Sequence, residues 1–240
     1  MDIRIRKYKK EYGYSYALGA APAMELVSRA RESVYKIYLS PDYRPALGSP
    51  DFRGMGLPWE TNARVFERVA QKENVFVIGA FFKFSRELEK ERPHVVLADI
   101  SDMGNLGTII RTALGFGVSD IATIGLASAD FFDPKAIRAS MGAVFGARLK
   151  NFADFESYRR EFPGQELYPF MLNGEHNLKD ISASGKNFSL IFGNEARGLP
   201  EAFRKMGKSV FIEHGRDIDS LNLSVAAGIA LYNFTSSNPL

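Results

Sequence analysis

The chain has 240 residues, of which 45% are hydrophobic, and a net charge of +3 at pH 7, which suits one large or two small globular domains with a buried core. The absence of cysteine excludes disulfides and thiolate zinc sites, and the three histidines, His94, His176 and His214, lack metal-ligand spacing, so we expect no metal site. No apolar run reaches membrane-spanning length and the amino terminus does not resemble a signal peptide, which predicts a cytoplasmic protein with no membrane partner.

The first 90 residues are expected to form a small basic α/β domain. Apolar segments of helix and strand length alternate there, with a long loop rich in Pro, Gly, Asp and Ser between them. The predicted elements are a helix over Ala17–Arg31, a strand over Val34–Leu39, the loop Ser40–Pro58, a helix over Asn62–Gln71 and a strand over Val75–Phe82. A charged run that ends at Pro93 predicts the boundary, so that the second domain spans residues 93–240.

Charge is distributed unevenly between these two parts. Residues 1–90 contain 16 Lys and Arg against 11 Asp and Glu, whereas residues 91–240 contain 15 against 17. The basic excess is interleaved with tyrosines, namely Tyr8, Tyr12, Tyr14, Tyr16, Tyr35, Tyr38 and Tyr43. This composition is typical of surfaces that contact phosphates and stack bases. The alternative is a solvated charged face whose tyrosines belong to the core.

After residue 93 the sequence alternates regularly between strand-like and helix-like segments. The predicted strands are Val95–Ile100, Ile121–Leu126, Ala147–Phe152, Leu167–Leu172, Ser189–Phe192 and Ser209–Ile212. The predicted helical segments are the one that carries Arg111, residues 134–145, residues 154–162 and Leu221–Phe234. This alternation predicts an α/β fold with a mostly parallel sheet, helices on both faces and ligands at the carboxyl ends of the strands.

The stretch from Val95 to Ile121 has the most informative pattern. A strand, a polar loop and a helix amino terminus follow one another, and such a junction offers free N–H groups to an anion. Asn105 is expected to cap the helix and Gly117 to end it. Because helical side chains four residues apart lie above one another, Arg111 is expected to cross the bare turn at Gly107. The alternative is an ordinary surface arginine.

Two later segments have compositions suited to ligand binding. In the loop Gly193–Pro200, two glycines allow close backbone approach, and Glu195 supplies a carboxylate that can orient an arginine. In the segment Asp219–Ile229, Ser220 is expected to cap a helix with a narrow face of small side chains, against which another group must pack closely. A plain turn and a tightly packed core helix are the purely structural alternatives.

The common nucleotide and hydrolase motifs are missing from the sequence. No G-x-G-x-x-G follows a strand, and no G-x-S-x-G occurs. The one string that resembles a P-loop has Ala202 in place of its first glycine. Dinucleotide-dependent oxidoreductases, P-loop NTPases and α/β hydrolases are therefore disfavoured.

Three motifs of the second part resemble those of the SpoU/TrmH branch of the SPOUT RNA methyltransferases. The first, Asn-x-Gly followed by Arg, is matched by Asn105, Gly107 and Arg111. The second, Gly-Asn-Glu-x-x-Gly-Leu, is matched over residues 193–199, and the third, Ser-Leu-Asn-x-Ser-x-Ala-x-Gly, over residues 220–228. Residues 1–90 resemble only loosely the small RNA-binding domain that many members carry.

The resemblance implies a sheet whose carboxyl part is threaded into a deep trefoil knot, in a homodimer. It also implies methyl transfer from S-adenosylmethionine to a ribose 2′-hydroxyl of ribosomal or transfer RNA. The implied catalytic residues are Arg111, Asn105, Glu195, Ser220 and Asn222. The implied cofactor-binding residues are Leu172, Asn173, Gly193, Glu195, Gly198, Ile212, Leu221 and Asn222.

The sequence departs from the family pattern at two places. Met103 stands where members usually have Pro, and Glu213 and His214 stand where they often have Pro and Met, near the expected adenine site. Two alternatives remain open, of which these departures suggest the first. One is an RNA-binding protein of the same fold with weak or no catalysis, and the other is a base methyltransferase of the same superfamily.

Overall fold

The computed structural model describes residues 3–48, 50–70, 74–181 and 185–236. Within them the chain forms a four-stranded, a five-stranded and a two-stranded sheet. The strands are β1 (Tyr14–Leu18), β2 (Val34–Leu39), β3 (Trp59–Thr61), β4 (Val77–Phe82), β5 (His94–Ala98), β6 (Asp120–Ile124), β7 (Arg148–Phe152), β8 (Glu166–Pro169), β9 (His176–Asn177), β10 (Phe188–Phe192) and β11 (Val210–Phe211). The helices are α1 (Ala20–Arg29), α2 (Ala63–Val69), α3 (Met103–Gly115), α4 (Pro134–Ala139), α5 (Phe155–Glu161) and α6 (Leu223–Ser236). None of the helices in these residues is long and apolar enough to span a membrane.

The amino-terminal part is built on the four-stranded sheet, in the order β1-β4-β2-β3. β4 is antiparallel to both of its neighbours. The helix predicted over Ala17–Arg31 is wrong at its start, because Ala17 and Leu18 belong to β1 and pair with β4. Gly19, with a φ of 105°, separates the strand from α1. Pairing with a buried strand therefore outweighs the helix propensity of Ala and Leu.

Most other predictions for this part agree with the structure. The strands predicted at Val34–Leu39 and Val75–Phe82 are confirmed as β2 and β4, and the predicted helix from Asn62 is confirmed as α2. Gln71, its predicted last residue, lies outside the described residues. β3 was not predicted, since three residues carry too little pattern. The described residues of the loop 40–58 contain one 3-10 turn, at Phe52–Gly54.

The second part carries the five-stranded sheet, in the order β7-β6-β5-β10-β8, with every neighbouring pair parallel. One face packs against α3, α4 and α6, and the other against α5. The predicted parallel sheet with helices on both faces is therefore confirmed. From β5 the chain adds strands on one side, and β10 and β8 lie on the other, so the strand order reverses between β5 and β10. Such a switch point is where open α/β sheets bind ligands.

The two larger sheets share one buried cluster. Phe81 of β4 packs edge-on against Phe132 and Phe145, with ring centroids 5.7 and 5.1 Å apart. The Ser15 hydroxyl donates to the Phe132 carbonyl oxygen over 2.5 Å. The amino-terminal sheet is thus attached through a continuous core, while the division at residues 90–93 and the trefoil knot stay predictions.

Gly107 has a different role from the predicted one. A Cβ at this position would lie 2.4 Å from the Ala136 carbonyl oxygen and 2.6 Å from the Ala139 Cβ, both in α4. The missing side chain therefore lets α3 and α4 pack with their backbones almost in contact. The space over Gly107 is filled by α4 rather than by Arg111, which corrects the interpretation that the glycine clears a path for the arginine.

This packing predicts that Gly107→Ala destabilises the protein. The added methyl group must displace the α4 backbone, so we expect the free energy of unfolding to fall by about 1–3 kcal/mol. Urea denaturation followed by circular dichroism measures this change.

Gly115, in the same helix, is the matched control, because nothing lies within 4 Å of a Cβ built there. Gly115→Ala is expected to leave the stability unchanged or to raise it by up to about 1 kcal/mol. Equal effects of the two substitutions would contradict the close contact between α3 and α4.

Candidate active site

Two loops meet at the carboxyl ends of β5 and β10. Residues 99–102 lead from β5 into α3, and residues 193–200 follow β10. The Asn194 Nδ2 joins the loops by donating to the Asp99 carbonyl oxygen over 2.9 Å. Asp99 holds a φ of 53°, a conformation that non-glycine residues seldom adopt. The switch point of the sheet thus brings the first two motifs together.

Helix α3 is capped by Asp102, whose Oδ1 accepts from the Asn105 backbone N–H over 2.6 Å. The prediction that Asn105 is the cap is therefore wrong, and Asn105 lies inside the first turn. Both residue types cap helices well, so composition alone does not choose between them. Because its side chain is not used for capping, Asn105 can reach the other two motifs.

Glu195 of the second motif accepts hydrogen bonds from the start of α3. Its carboxylate receives the Ser101 N–H over 3.3 Å, the Ser101 hydroxyl over 3.1 Å and the Asp102 N–H over 3.0 Å. A helix amino terminus favours negative charge at this position. Burial alone would raise the pKa of the Glu195 carboxyl, but hydrogen bonds from the backbone N–H groups of Glu195, Asp102 and Ser101 hold that pKa below its ordinary value. Glu195 is therefore ionised at neutral pH.

Asn222 of the third motif makes similar contacts at the start of α6. Its Oδ1 accepts from the Ser224 N–H over 2.9 Å and from the Ser224 hydroxyl over 2.7 Å. Asn222 therefore caps α6, and the prediction of Ser220 as the cap is wrong, since Ser220 lies exposed two residues earlier. The Asn222 Nδ2 donates to the Asn105 Oδ1 over 3.2 Å, and the Asn105 Nδ2 lies 3.5 Å from the Glu195 Oε1. We call this series Glu195–Asn105–Asn222 the motif bridge.

Arg111 is exposed on α3 and makes no hydrogen bond or ion pair with any residue that the structure describes. It lies six residues beyond Asn105, about 9 Å further along the helix axis. No contact joins it to the motif bridge, so the expectation that those side chains orient it stays a prediction. Its guanidinium is available to a ligand from solution.

A cavity of about 310 Å³ opens beside the motif bridge, among the segments that follow β8, β10 and β11. Its walls are mainly apolar, as in most small-molecule sites, and its volume lies at the lower end of their range. Seven of the eight predicted cofactor-binding residues line it, and the eighth, Asn222, adjoins Leu221, which does. The seven are Leu172, Asn173, Gly193, Glu195, Gly198, Ile212 and Leu221.

Sequence reasoning missed most of the apolar wall and one cation. The missed lining residues lie near strand ends, in the second motif and early in α6, and are Phe170, Met171, Phe192, Asn194, Ala196, Arg197, Leu199, Val210, Leu223 and Ala226. Most of these residues are hydrophobic, and residues of the protein core share that property, so the sequence alone does not mark them as cavity residues. Arg197 could have been found, since it is a basic residue inside a motif already singled out.

The backbone of the second motif folds back on itself at the cavity. Asn194 and Gly198 form an antiparallel bridge, in which the Gly198 N–H donates to the Asn194 carbonyl oxygen over 2.8 Å. A Cβ on Gly193 would lie 2.1 Å from the Gly198 carbonyl carbon. Glycine at position 193 is therefore required by the close approach of the backbone, as the sequence predicted.

Glu213 points away from the cavity, which its neighbours Ile212 and His214 line. The Glu213 carboxylate pairs with the Lys179 Nζ over 2.5 Å and accepts from the Asn177 Nδ2 over 3.3 Å. The departure from the family pattern at Glu213 therefore places no negative charge in the cavity.

The contacts of Glu195 predict a pH-dependent loss of stability in Glu195→Gln. Removing the charge from the start of α3 is expected to lower the free energy of unfolding by about 1–2 kcal/mol at neutral pH. Because the pKa of Glu195 is lower in the folded than in the unfolded protein, this contribution is complete above the unfolded value of about 4.3 and is lost as the pH falls through the folded value. Urea denaturation over a pH series should therefore show the two proteins converging in acid.

Glu67→Gln on α2 is the control, since Glu67 is an exposed carboxylate without a hydrogen bond to the described residues. It is expected to match the wild type at every pH. A deficit of Glu195→Gln that persists undiminished in acid would rule out the charge as its cause.

The sequence is similar to one protein family and to several curated proteins. The SpoU rRNA Methylase family matches residues 92–232. The 23S rRNA (guanosine(2553)-2′-O)-methyltransferase RlmP of Bacillus subtilis is 31% identical over 172 residues, which are 70% of this chain and 68% of that protein. The ribosomal RNA small subunit methyltransferase G 2 of Syntrophobacter fumaroxidans is 35% identical over 59% of this chain, but the match spans only 27% of that protein. The 23S rRNA (adenosine(1067)-2′-O)-methyltransferase of Streptomyces azureus is 31% identical over 60% of this chain, and the match spans 54% of that protein.

Solved structures resemble the whole described fold. An rRNA methyltransferase from Sinorhizobium meliloti, solved with AdoMet bound, has a TM-score of 0.79 and 26% identity over 95% of this chain and 88% of its own. The SpoU methyltransferase AviRb from Streptomyces viridochromogenes has a TM-score of 0.77 and 20% identity over 94% of this chain and 90% of its own, a likeness of fold alone. Because the family match covers more than half of the sequence, this chain belongs to the SpoU rRNA methylase family.

Proposed function

We propose that this protein transfers the methyl group of S-adenosylmethionine to a ribose 2′-hydroxyl of ribosomal or transfer RNA. The observation that carries the proposal is the motif bridge, which joins three separate motif loops beside one cavity. The names of relatives support it: those from Bacillus subtilis and Streptomyces azureus methylate a 2′-oxygen of 23S rRNA. The relative from Sinorhizobium meliloti was solved with AdoMet.

The residues of the cavity fit S-adenosylmethionine, which supplies an electrophilic methyl group when it is bound. Leu172, Ile212 and Leu221 offer apolar surfaces for the adenine. The backbone at Gly193 and Gly198 carries no side chains, so its polar groups can approach a ligand closely. The ionised Glu195 beside the cavity favours a ligand that carries a positive sulfonium.

The chemistry requires positioning of the ribose and stabilisation of its oxygen. A ribose hydroxyl is a weak nucleophile at neutral pH, so in-line placement and removal of its proton limit the reaction. Arg111, exposed and unpaired among the described residues, suits the phosphate next to the target ribose and the negative charge that develops on the 2′-oxygen. Because arginine keeps its proton in proteins, we assign Arg111 this electrostatic role. The 2′-oxygen would bond to the methyl carbon as the bond between that carbon and the sulfonium sulfur breaks, S-adenosylhomocysteine would be the leaving group, and the hydroxyl proton would pass to solvent.

The remaining predicted catalytic residues hold the ribose side of the site. Asn105 and Asn222 are fixed by the motif bridge, and Ser220 stands exposed at the cavity. We assign them hydrogen bonds to the ribose and its neighbouring phosphate. We assign further RNA contacts to the basic amino-terminal part, residues 1–90. We infer a cytoplasmic location from the proposed RNA substrate.

We also propose the trefoil knot for the segment from β8 to β11. Its support is close backbone contact between distant parts of that segment. A Cβ on Gly174 would lie 2.6 Å from the Val210 carbonyl carbon, and one on Gly207 would lie 2.2 Å from the Leu167 carbonyl oxygen. Glycine at these positions permits the tight crossings that threading requires.

The departures from the family pattern do not favour the alternative functions. Glu213 is turned away from the cavity and paired with Lys179. Met103 takes the first position of α3, which proline also favours, and packs against the core. The described residues therefore give no specific support to a catalytically weak protein, and none to a base methyltransferase.

The proposed catalytic role predicts a selective loss in Arg111→Ala. Methyl transfer to total RNA is expected to fall by about 10²–10³-fold, since a charge that stabilises the transition state is removed. The affinity for S-adenosylmethionine, measured by calorimetry, and the melting temperature are expected to stay at wild-type values, because Arg111 does not line the cavity and makes no hydrogen bond or ion pair with the described residues.

Arg160→Ala on α5, another exposed arginine, serves as the control and should keep full activity. If the melting temperature of Arg111→Ala falls together with its activity, Arg111 has a structural rather than a catalytic role. A wild-type protein that binds no S-adenosylmethionine and transfers no methyl group would overturn the proposed function.

We propose that the protein is a homodimer formed through α6. Val225, Ile229 and Tyr232 lie on one side of this helix with 51%, 39% and 63% of their surfaces exposed. Tyr232 extends the apolar surface towards Phe116, which directly follows α3, with ring centroids 6.2 Å apart. An apolar stripe of this kind marks a protein interface.

Ile229→Glu is expected to convert the dimer into a folded monomer, because it places a charge in the middle of that stripe. Analytical ultracentrifugation measures the change, and Arg160→Glu controls for added negative charge elsewhere. A wild-type protein that sediments as a monomer, or an Ile229→Glu protein that remains a dimer, would refute this interface.

A further inference from the structure

The amino-terminal arm, residues 3–14, bends at Lys7, turns at residues 10–13 and is held against the fold by tyrosine hydroxyls. The Tyr14 hydroxyl donates to the Arg4 carbonyl oxygen and the Tyr16 hydroxyl to the Arg6 carbonyl oxygen, each over 2.8 Å. Ile3 is buried on the inner side. Burial alternates along residues 3–6, where Ile3 and Ile5 are covered and Arg4 and Arg6 are exposed, so the arginines are directed outward.

The outer side of the arm carries cations without acidic partners. Arg4, Arg6 and Lys7 are exposed, Lys7 because the arm bends there, and none pairs with a carboxylate of the described residues. The Arg6 guanidinium carbon lies 5.2 Å from the centre of the Tyr12 ring, and the rings of Tyr12 and Tyr14 stack with centroids 5.2 Å apart. Fixed cations beside an aromatic stack form a surface with the chemistry of nucleic-acid recognition.

The structure also sorts the tyrosines of the basic region. Tyr16, Tyr38 and Tyr43 are buried, so for them the alternative of core residues is confirmed. Tyr12 and Tyr14 are only half-buried and lie beside the unpaired cations. A contact with bases is therefore confined to the arm among these five tyrosines.

Several contacts anchor the arm to the loop that follows β6. The Lys10 Nζ donates to the Ser128 carbonyl oxygen over 2.8 Å, and the Tyr8 hydroxyl donates to the Asp130 carboxylate. The Lys83 Nζ reaches the same carboxylate over 2.8 Å. The position of the arm relative to the parallel sheet is thus fixed by buried and half-buried polar contacts.

That loop adjoins the candidate active site. The Ala129 N–H donates to the Ile100 carbonyl oxygen over 2.8 Å, inside the loop that leads into α3. The arm therefore lies at the carboxyl edge of the sheet, on the side of the first motif. RNA that enters the active site at this edge passes close to the outer side of the arm.

We propose that the arm binds the RNA substrate beside the target nucleotide, with Arg4, Arg6 and Lys7 on backbone phosphates and Tyr12 against a base. This proposal rests on the proposed function. Because the backbone of the arm is anchored, it loses little conformational freedom on binding, and neutralisation of phosphates by its cations releases counterions. The aromatic stack favours RNA over an acidic protein surface, since bases stack on tyrosine.

The test compares RNA binding by two charge-matched triple variants. The probe is a fluorescein-labelled RNA hairpin of mixed sequence with single-stranded tails, titrated by anisotropy without S-adenosylmethionine over a range of salt concentrations. The arm variant, Arg4→Ala with Arg6→Ala and Lys7→Ala, is expected to bind at least about tenfold more weakly and to reduce the slope of log affinity against log salt by about 2.

The control variant, Arg159→Ala with Arg160→Ala and Lys186→Ala, removes the same charge from exposed positions near the opposite edge of the sheet. It is expected to bind within about twofold of the wild type. Tyr12→Ala should weaken binding by about five- to a hundredfold, whereas Tyr12→Phe, which keeps the ring, should restore it. Melting temperatures and calorimetry with S-adenosylmethionine confirm that each variant is folded.

An arm variant with wild-type affinity and salt slope, or equal losses in the arm and control variants, would overturn the proposal. The same holds if the arm binds only an acidic protein and leaves RNA affinity unchanged. These outcomes are separate from failure of the proposed function. If the arm variant methylates RNA with an unchanged KM, only the proposal for the arm fails. If the wild-type protein binds RNA through the arm but transfers no methyl group, only the proposed catalytic function fails.

Discussion

The carboxylate of Glu195 at the start of α3 is the interaction on which the candidate site depends. It accepts two backbone N–H groups and a hydroxyl from the loop after β5, although it belongs to the loop after β10. Because β5 and β10 are neighbours in the sheet, these loops begin next to each other and meet directly. The ionised group both satisfies the free N–H groups of the helix start and attaches the second motif to the first.

The motif bridge extends this attachment to the third motif. Asn105 lies between Glu195 and Asn222, and Asn222 in turn caps α6. The contact between Asn105 and Asn222 is neutral, the contact between Asn105 and the ionised Glu195 is long at 3.5 Å, and a hydrogen bond stabilises a protein by only about 1 kcal/mol, so the bridge does not hold the fold together. It fixes the relative positions of groups that the packed sheet and helices have already brought close, as a preorganised site requires.

Close backbone contacts set a second constraint on the structure. Gly107 allows α3 to meet α4, and Gly193 allows the second motif to fold against itself. Both glycines therefore serve close packing, and Gly193 also lines the cavity. Packing at Gly107 fixes α3, the helix that carries the exposed Arg111, against α4.

Much of this architecture could be predicted from the sequence, because buried parallel strands are continuous apolar runs and the helices between them have clear periodicity. Seven of the residues that line the cavity were predicted through the resemblance, whose motifs preserve order and spacing, whereas most of its apolar wall was missed. Local capping was less predictable: Asp102 and Asn222 cap the helices instead of Asn105 and Ser220, because these residue types are chemically interchangeable as caps.

Other features depend on contacts between distant parts of the chain. Ala17 and Leu18 form a strand only because β4 lies beside them. Gly107 is explained by α4, and the outward orientation of Glu213 by Lys179, 34 residues earlier. A sequence pattern does not contain these partners, so their effects could be read only from the assembled fold.

The most direct test of the central claim is the chemical identity of the methylated product. Purified protein, S-adenosylmethionine with an isotopically labelled methyl group and unmodified ribosomal or transfer RNA would be incubated, and the RNA digested to nucleosides for mass spectrometry. The account predicts that the label appears in a 2′-O-methylnucleoside, on the ribose. Label found on a base, or no label above that of a reaction without protein, would contradict it.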